Sequence, residues 1–191
     1  HNANIVFNNR SNVETTSSNP NVDKSWSVGP SYCLINDIKK KSQRYEVKNI
    51  LLHAGGASYF ETIETLTKST IQAVQKYELN LDILCVNQKS KKYIQNKIEK
   101  LNFKGKYQLI PFKKNFKNCI HKYDVVVGPA GTTTFETIMA HTLPFTVPLK
   151  NDGRDDLESW LSLGHMMHMS YKEAQTPKLL DQAWDVLIKN F

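Results

Sequence analysis

From Val47 onward, short apolar runs of strand length alternate with longer segments of helical period. This arrangement restricts the chain to an α/β fold built from βαβ units. The strands expected are Asn49–His53, Asp82–Val86, Tyr107–Ile110, Asp124–Val127, Phe145–Pro148 and Met166–Met169. Each is short and nearly all apolar, as a parallel sheet covered on both faces requires. Helices are expected between and after them at Tyr59–Tyr77, Lys91–Leu101, Phe116–His121, Thr133–His141, Asp155–Leu163 and Pro177–Lys189. Ile63, Leu66, Ile71 and Val74 keep to one broad face of the first, Pro177 suits a first helical turn, and Gly164 suits a left-handed cap. Right-handed crossovers then give a Rossmann-like, doubly wound, mainly parallel sheet of about six strands, with its crevice at the strands' carboxyl ends.

The first 46 residues do not follow this pattern. One short apolar run, Ile5-Val6-Phe7, precedes a polar, turn-rich stretch from Ser11 to Asp23. Residues 1–46 read as an irregular segment and interdomain linker, the trailing edge of an earlier domain, and residues 47–191 as one Rossmann-like domain. No apolar run approaches the roughly 20 residues needed to span a bilayer, and the start is too polar for a signal peptide. Cys33, Cys85 and Cys119 are odd in number, widely spaced and without a CxxC pair, which suits reduced thiols in a cytoplasmic protein.

The net charge of +7 is uneven, because Lys89 to Lys122 holds eleven lysines against one acid, Glu99. That flank is either a solvated face or a surface for peripheral contact with phosphates or an anionic membrane. Nucleic acid is not expected: arginine is limited to Arg10, Arg44 and Arg154, and no nucleic-acid motif is present.

Two glycine-bearing turns carry the chemistry. His53-Ala54-Gly55-Gly56-Ala57-Ser58 lies directly between an expected strand and a long helix, where glycines admit a ligand and helix amides favour phosphate. It is neither GxGxxG nor a P-loop, and taken alone it is equally a tight connection. The second turn, Gly128-Pro129-Ala130-Gly131-Thr132-Thr133-Thr134-Phe135-Glu136, offers three hydroxyls and a helix start to anionic oxygens. Glu136 falls about one turn further in, within reach of vicinal hydroxyls. A capping box of Thr133 with Glu136 is the ligand-free alternative for the same residues.

The run Tyr123 to Glu136, closed by Leu143-Pro144, resembles the C-terminal half of GT-B enzymes related to the MurG glycosyltransferase. Upstream, Gly29-Pro30-Ser31-Tyr32-Cys33-Leu34 followed by Ile50 to Gly56 is more similar to PseG, a sugar-nucleotide hydrolase, and to SpsG-type proteins. The resemblance implies a UDP-sugar ligand, with the uracil beside the loop from Pro111 to Asn115, which includes Phe112, and the ribose on Glu136. It implies further that Gly55, Gly56, Ser58, Gly131, Thr132 and Thr133 surround the diphosphate. The sugar would meet Asn151, Asp152 and Asp155, where the related enzymes usually have glutamine. An N-terminal Rossmann-like domain, in cis or in trans, would complete the cleft. The function expected is the nucleotide-sugar-binding part of a PseG-like hydrolase in surface-glycan or nonulosonic acid biosynthesis. The alternatives are half of a glycosyltransferase, or a non-enzymatic interaction module whose sugar site has degraded.

No cofactor or metal site is expected. The run His165-Met166-Met167-His168-Met169 alternates as a strand does, with Met166 and His168 on one face and Met167 and Met169 on the other, which points to core packing rather than copper. His53 and His121 each stand at the expected end of an element and either can border the crevice. Ser31 and Ser58 lack the G-x-S-x-G setting of a hydrolase elbow, and the catalytic residues are not identified by the sequence.

Overall fold

The computed structural model describes residues 5–8, 25–28, 38–42, 45–55, 60–113, 115–149 and 166–191. Strands β1 (Ile5–Asn8) and β2 (Ser25–Val28) pair in parallel as a two-stranded sheet. Both strands fall within residues 1–46, where Ile5-Val6-Phe7 is the apolar run that precedes the polar stretch; Ser25-Trp26-Ser27-Val28, just past that stretch, gives little periodic signal.

The remaining strands are β3 (Asn49–His53), β4 (Asn80–Cys85), β5 (Lys106–Pro111), β6 (Val125–Pro129), β7 (Leu143–Val147) and β8 (Met167–His168). Among the described residues they form one six-stranded sheet in the order β5-β4-β3-β6-β7-β8, every pairing parallel. Numbered from the first strand of this sheet, the order is 3-2-1-4-5-6, that of the doubly wound dinucleotide-binding fold. The order reverses between β3 and β6, so the crevice belongs at their carboxyl ends, beyond His53 and Pro129.

Helices α1 (Glu64–Lys76), α2 (Gln88–Lys100), α3 (Thr132–Met139), α4 (Tyr171–Ala174) and α5 (Pro177–Lys189) flank the sheet. The strands alternate between two cores, as a period of two demands. Ile50, Leu52, Val125 and Val127 pack with Leu66 and Val74 of α1, Ile94 and Ile98 of α2, and Leu180, Trp184 and Leu187 of α5. Leu51 and Val126 point the other way, to Phe116, Ile120, Tyr123 and Ala140. Phe145 meets Trp184 edge to face at 5.3 Å, and Lys76 and Tyr77 share Asp185, locking α5 onto α1.

Three boundaries depart from expectation for local reasons. Helix α2 begins a turn early because the Asn87 side chain accepts from Ser90 N–H at 2.8 Å and caps it. The first turn before α1, Phe60–Ile63, is a 3-10 helix, and Ile63 supplies no side-chain cap. Phe116–Lys122, between Asn115 and Tyr123, is 3-10 throughout rather than α-helical. The expected helix Asp155–Leu163 and its cap Gly164 lie outside the described residues.

Met167 and Met169 pack on the main core, while His168 Nδ1 lies 2.8 Å from Thr146 Oγ1. Cys85 and Cys119 are free thiols, and burial pushes Cys85 up to about 11, so it stays protonated at neutral pH. Among the described residues no helix is long and apolar enough to cross a membrane.

Candidate functional site

A cleft of about 330 Å³ opens where the topology reverses, over the carboxyl ends of β3, β4, β5 and β6. Its two sides are chemically distinct. Leu84 and Val86 after β4, with Phe112 and Phe116 after β5, make an apolar wall. Phe112 and Val86 are exposed at the mouth, and the two phenylalanine rings lie 6.4 Å apart. The polar side comes from His53, Gly55, Lys117, Thr132, Thr133 and Glu136. Both glycine turns therefore reach one cavity although their sequences lie some 75 residues apart, because β3 and β6 are neighbours.

The turn glycines differ in why they are glycine. Gly55 has φ +70°, and a Cβ there would lie 3.1 Å from the Pro129 side chain. At Gly128 a Cβ would approach the His53 ring and carbonyl to 2.5 and 2.6 Å, which no side chain survives. Gly131 is different: its backbone is extended, and a Cβ would meet nothing within 4 Å. Protein packing accounts for the first two and leaves open space beside the third.

Gly131 is also the N-cap of α3, and its N–H donates to Thr134 Oγ1 at 3.1 Å while Thr134 N–H returns to the Gly131 carbonyl at 3.0 Å. The ligand-free alternative, a capping box of Thr133 with Glu136, does not form, since the helix begins two residues earlier than that pairing needs. Thr134 turns inward and is buried, leaving Thr132 and Thr133 facing the cleft. The Glu136 carboxylate makes no hydrogen bond to a described residue; burial raises its pKa, and the Lys117 ammonium pulls it part of the way back.

His53 is buried at the end of β3, its Nδ1 accepting from Gly55 N–H at 3.1 Å. Burial alone depresses the ring to about 4 from 6.5. Because the folded ring resists a proton that the unfolded one takes up, its contribution is fully present above pH 6.5 and is lost as pH falls toward 4. Acid should therefore destabilise the fold by about 3 kcal/mol over that window, a loss that His53→Gln should largely remove in urea melts at pH 7 and pH 4.5. Glu136, raised in the folded state, works in the opposite sense and offsets part of the change.

Of the residues singled out from sequence, Gly55, Phe112, Thr132, Thr133 and Glu136 line this cleft, and Gly131 caps the helix beside it. Gly56, Ser58, Asn151, Asp152 and Asp155 lie outside the described residues. His121 does not border the crevice. It falls at the far end of the 3-10 segment, with its Nδ1 buried. Sequence reasoning missed Leu84, Val86, Phe116 and Lys117, which are brought in only by the order of the strands. Among the described residues no group of three His, Cys, Asp or Glu is placed to hold a metal ion.

The fold has known counterparts. MurG of Acinetobacter baumannii superposes with a TM-score of 0.56 at 22% identity, over 76% of this chain and 42% of that one. An O-GlcNAc transferase mutant from Thermobaculum terrenum does so with 0.56 at 9% identity, over 81% and 31%. The glycotransferase of kitacinnamycin gives 0.50 at 17% identity, over 90% and 44%. The chain thus spans less than half the length of each of these structural neighbours. No curated protein matches it in sequence. The pattern described as Glycosyltransferase family 28 C-terminal domain matches residues 50–181, more than two thirds of the chain, and the chain belongs to that family.

Proposed function

We propose that the cleft binds the nucleoside diphosphate of a UDP-sugar donor, as the donor-binding half of a GT-B enzyme. The observation that carries this reading is Glu136: a half-buried carboxylate one turn inside α3, beside Thr132 and Thr133, with no hydrogen bond of its own to a described residue. Leaving a desolvated carboxylate without donors costs stability, and vicinal ribose hydroxyls would supply two. The apolar wall of Leu84, Val86, Phe112 and Phe116 suits a base and sugar ring, and the open space at Gly131 leaves room for a diphosphate at the α3 amides. Gly56 and Ser58 would complete the phosphate side, and Asn151, Asp152 and Asp155 would face the sugar.

The family favours transfer of the sugar to an acceptor. Hydrolysis in the manner of PseG is the second reading, favoured by the upstream Gly29-Pro30-Ser31-Tyr32 run, and acceptor-dependent release of UDP separates the two.

Titration calorimetry tests the binding proposal. UDP should bind, Glu136→Ala should weaken it roughly tenfold to a hundredfold, and 2′-deoxy-UDP should lose less to the same substitution. No heat from UDP at millimolar concentration, or unchanged affinity in Glu136→Ala, would overturn the assignment.

A further inference from the structure

We infer that the Nε2–H of His53 donates a hydrogen bond to a phosphate oxygen of the ligand, making His53 a positioning residue of the nucleotide site alongside the α3 amides. The inference rests on the nucleotide reading above and adds to it the group that distinguishes a diphosphate from a bare nucleoside.

Four observations support it. His53 is only 5% exposed, yet it is among the residues that line the cleft. Its Nδ1 is occupied as an acceptor from Gly55 N–H, which in a neutral ring leaves the proton on Nε2. Burial holds the ring far below neutral pH in its titration, so the uncharged form is the one present. Finally, Nε2 and Cδ2 lie 2.5 and 2.6 Å from where a Gly128 Cβ would stand, so that this edge of the ring packs on the end of β6 that leads into the second turn, and Nε2 makes no hydrogen bond to a described residue. An N–H with no partner among the described residues thus belongs to a residue that lines the cleft, as do Thr132 and Thr133 at the start of α3.

The chemistry follows from the charge of the ligand. An N–H fixed beforehand costs no reorganisation when charge gathers on an oxygen, and a donor to a charged acceptor is among the stronger hydrogen bonds. When a sugar leaves a nucleoside diphosphate, negative charge accumulates on the oxygen it departs from, so a donor placed there serves binding and bond cleavage alike. A histidine whose role was packing alone would leave the diphosphate unread.

The test compares UDP with uridine on the whole chain. In the parent, the His53 Nε2 resonance should move on addition of UDP and not of uridine. His53→Leu should lose roughly tenfold to a hundredfold in UDP affinity while uridine binds as before, and His53→Gln, whose amide can donate, should keep most of it. An unchanged ratio of UDP to uridine affinity in both variants, with a stationary Nε2 resonance, overturns the inference and leaves the nucleotide reading intact. Failure of the parent to bind UDP at all overturns both. Should His53→Leu not fold, the parent spectrum and His53→Gln decide.

Discussion

Replacing Asp124 with alanine is expected to destabilise the fold by about 3–5 kcal/mol, the usual consequence of removing one partner from a buried ion pair. Its carboxylate is fully buried at the start of β6 and accepts from the backbone N–H groups of Lys48 and Asn49 at 2.9 and 2.7 Å. The Lys41 ammonium, itself almost fully buried, completes the pair and also donates to the Tyr123 carbonyl. Alanine would leave two N–H groups and a lysine desolvated without this acceptor. Asp124→Asn keeps an acceptor but not the charge and should cost less. Lys41→Met combined with Asp124→Ala should recover part of the loss, because the buried ammonium that loses its carboxylate goes with it. Urea titration with an unchanged slope is the measurement. A cost below about 1 kcal/mol would show that the pair contributes little to this fold.

That residue also shows what the sequence could and could not disclose. Asp124 was legible as the first letter of a strand-and-glycine pattern, but its partner is Lys41, 83 positions away, and nothing local announces the pair. The elements themselves were largely legible. β3 and α5 were expected over the residues they occupy, since continuous apolar runs and a proline at the first turn are local signals. The start of α2 was legible too, in Asn87 three residues before Ser90, but the apolar period begins later and drew the boundary with it. Inside the cleft, the glycine turns and Glu136 were readable because polar residues crowd one helix start. Lys117, Leu84 and Phe116 were not, because only the parallel pairing of β5 with β4 and of β6 with β3 carries them to the same cavity. The T-x-x-E spacing offered a cap at Thr133 that does not form, because the cap lies at Gly131, which has no side chain to mark it.

The largest effect expected concerns turnover: this chain alone should bind UDP yet release none from UDP-sugars above the uncatalysed rate. Its cleft holds few groups capable of proton transfer. Under the proposed reading Glu136 holds the ribose; Lys117 is the cation beside it, and His53 has Nδ1 occupied by Gly55 N–H and is depressed by burial to about 4. None of these is placed to activate water or an acceptor hydroxyl while also holding the donor. Loss of a positioned base typically lowers the rate by 10² to 10⁴, and loss of the orientation supplied by a closed two-sided cleft lowers it further. Under the proposed reading the acceptor side of such a cleft comes from a second Rossmann-like domain, in cis or in trans; the chain spans 42% of the length of the MurG structure. Incubating the purified chain with UDP-linked sugars, 2,4-diacetamido sugars included, and following UDP release tests this. Release should stay at the buffer rate alone and rise when an N-terminal half is supplied, with dependence on an added acceptor marking transfer and independence marking hydrolysis. Turnover by the chain alone that Glu136→Ala abolishes would place the catalytic groups within these 191 residues and overturn the assignment of Glu136 to ribose binding only.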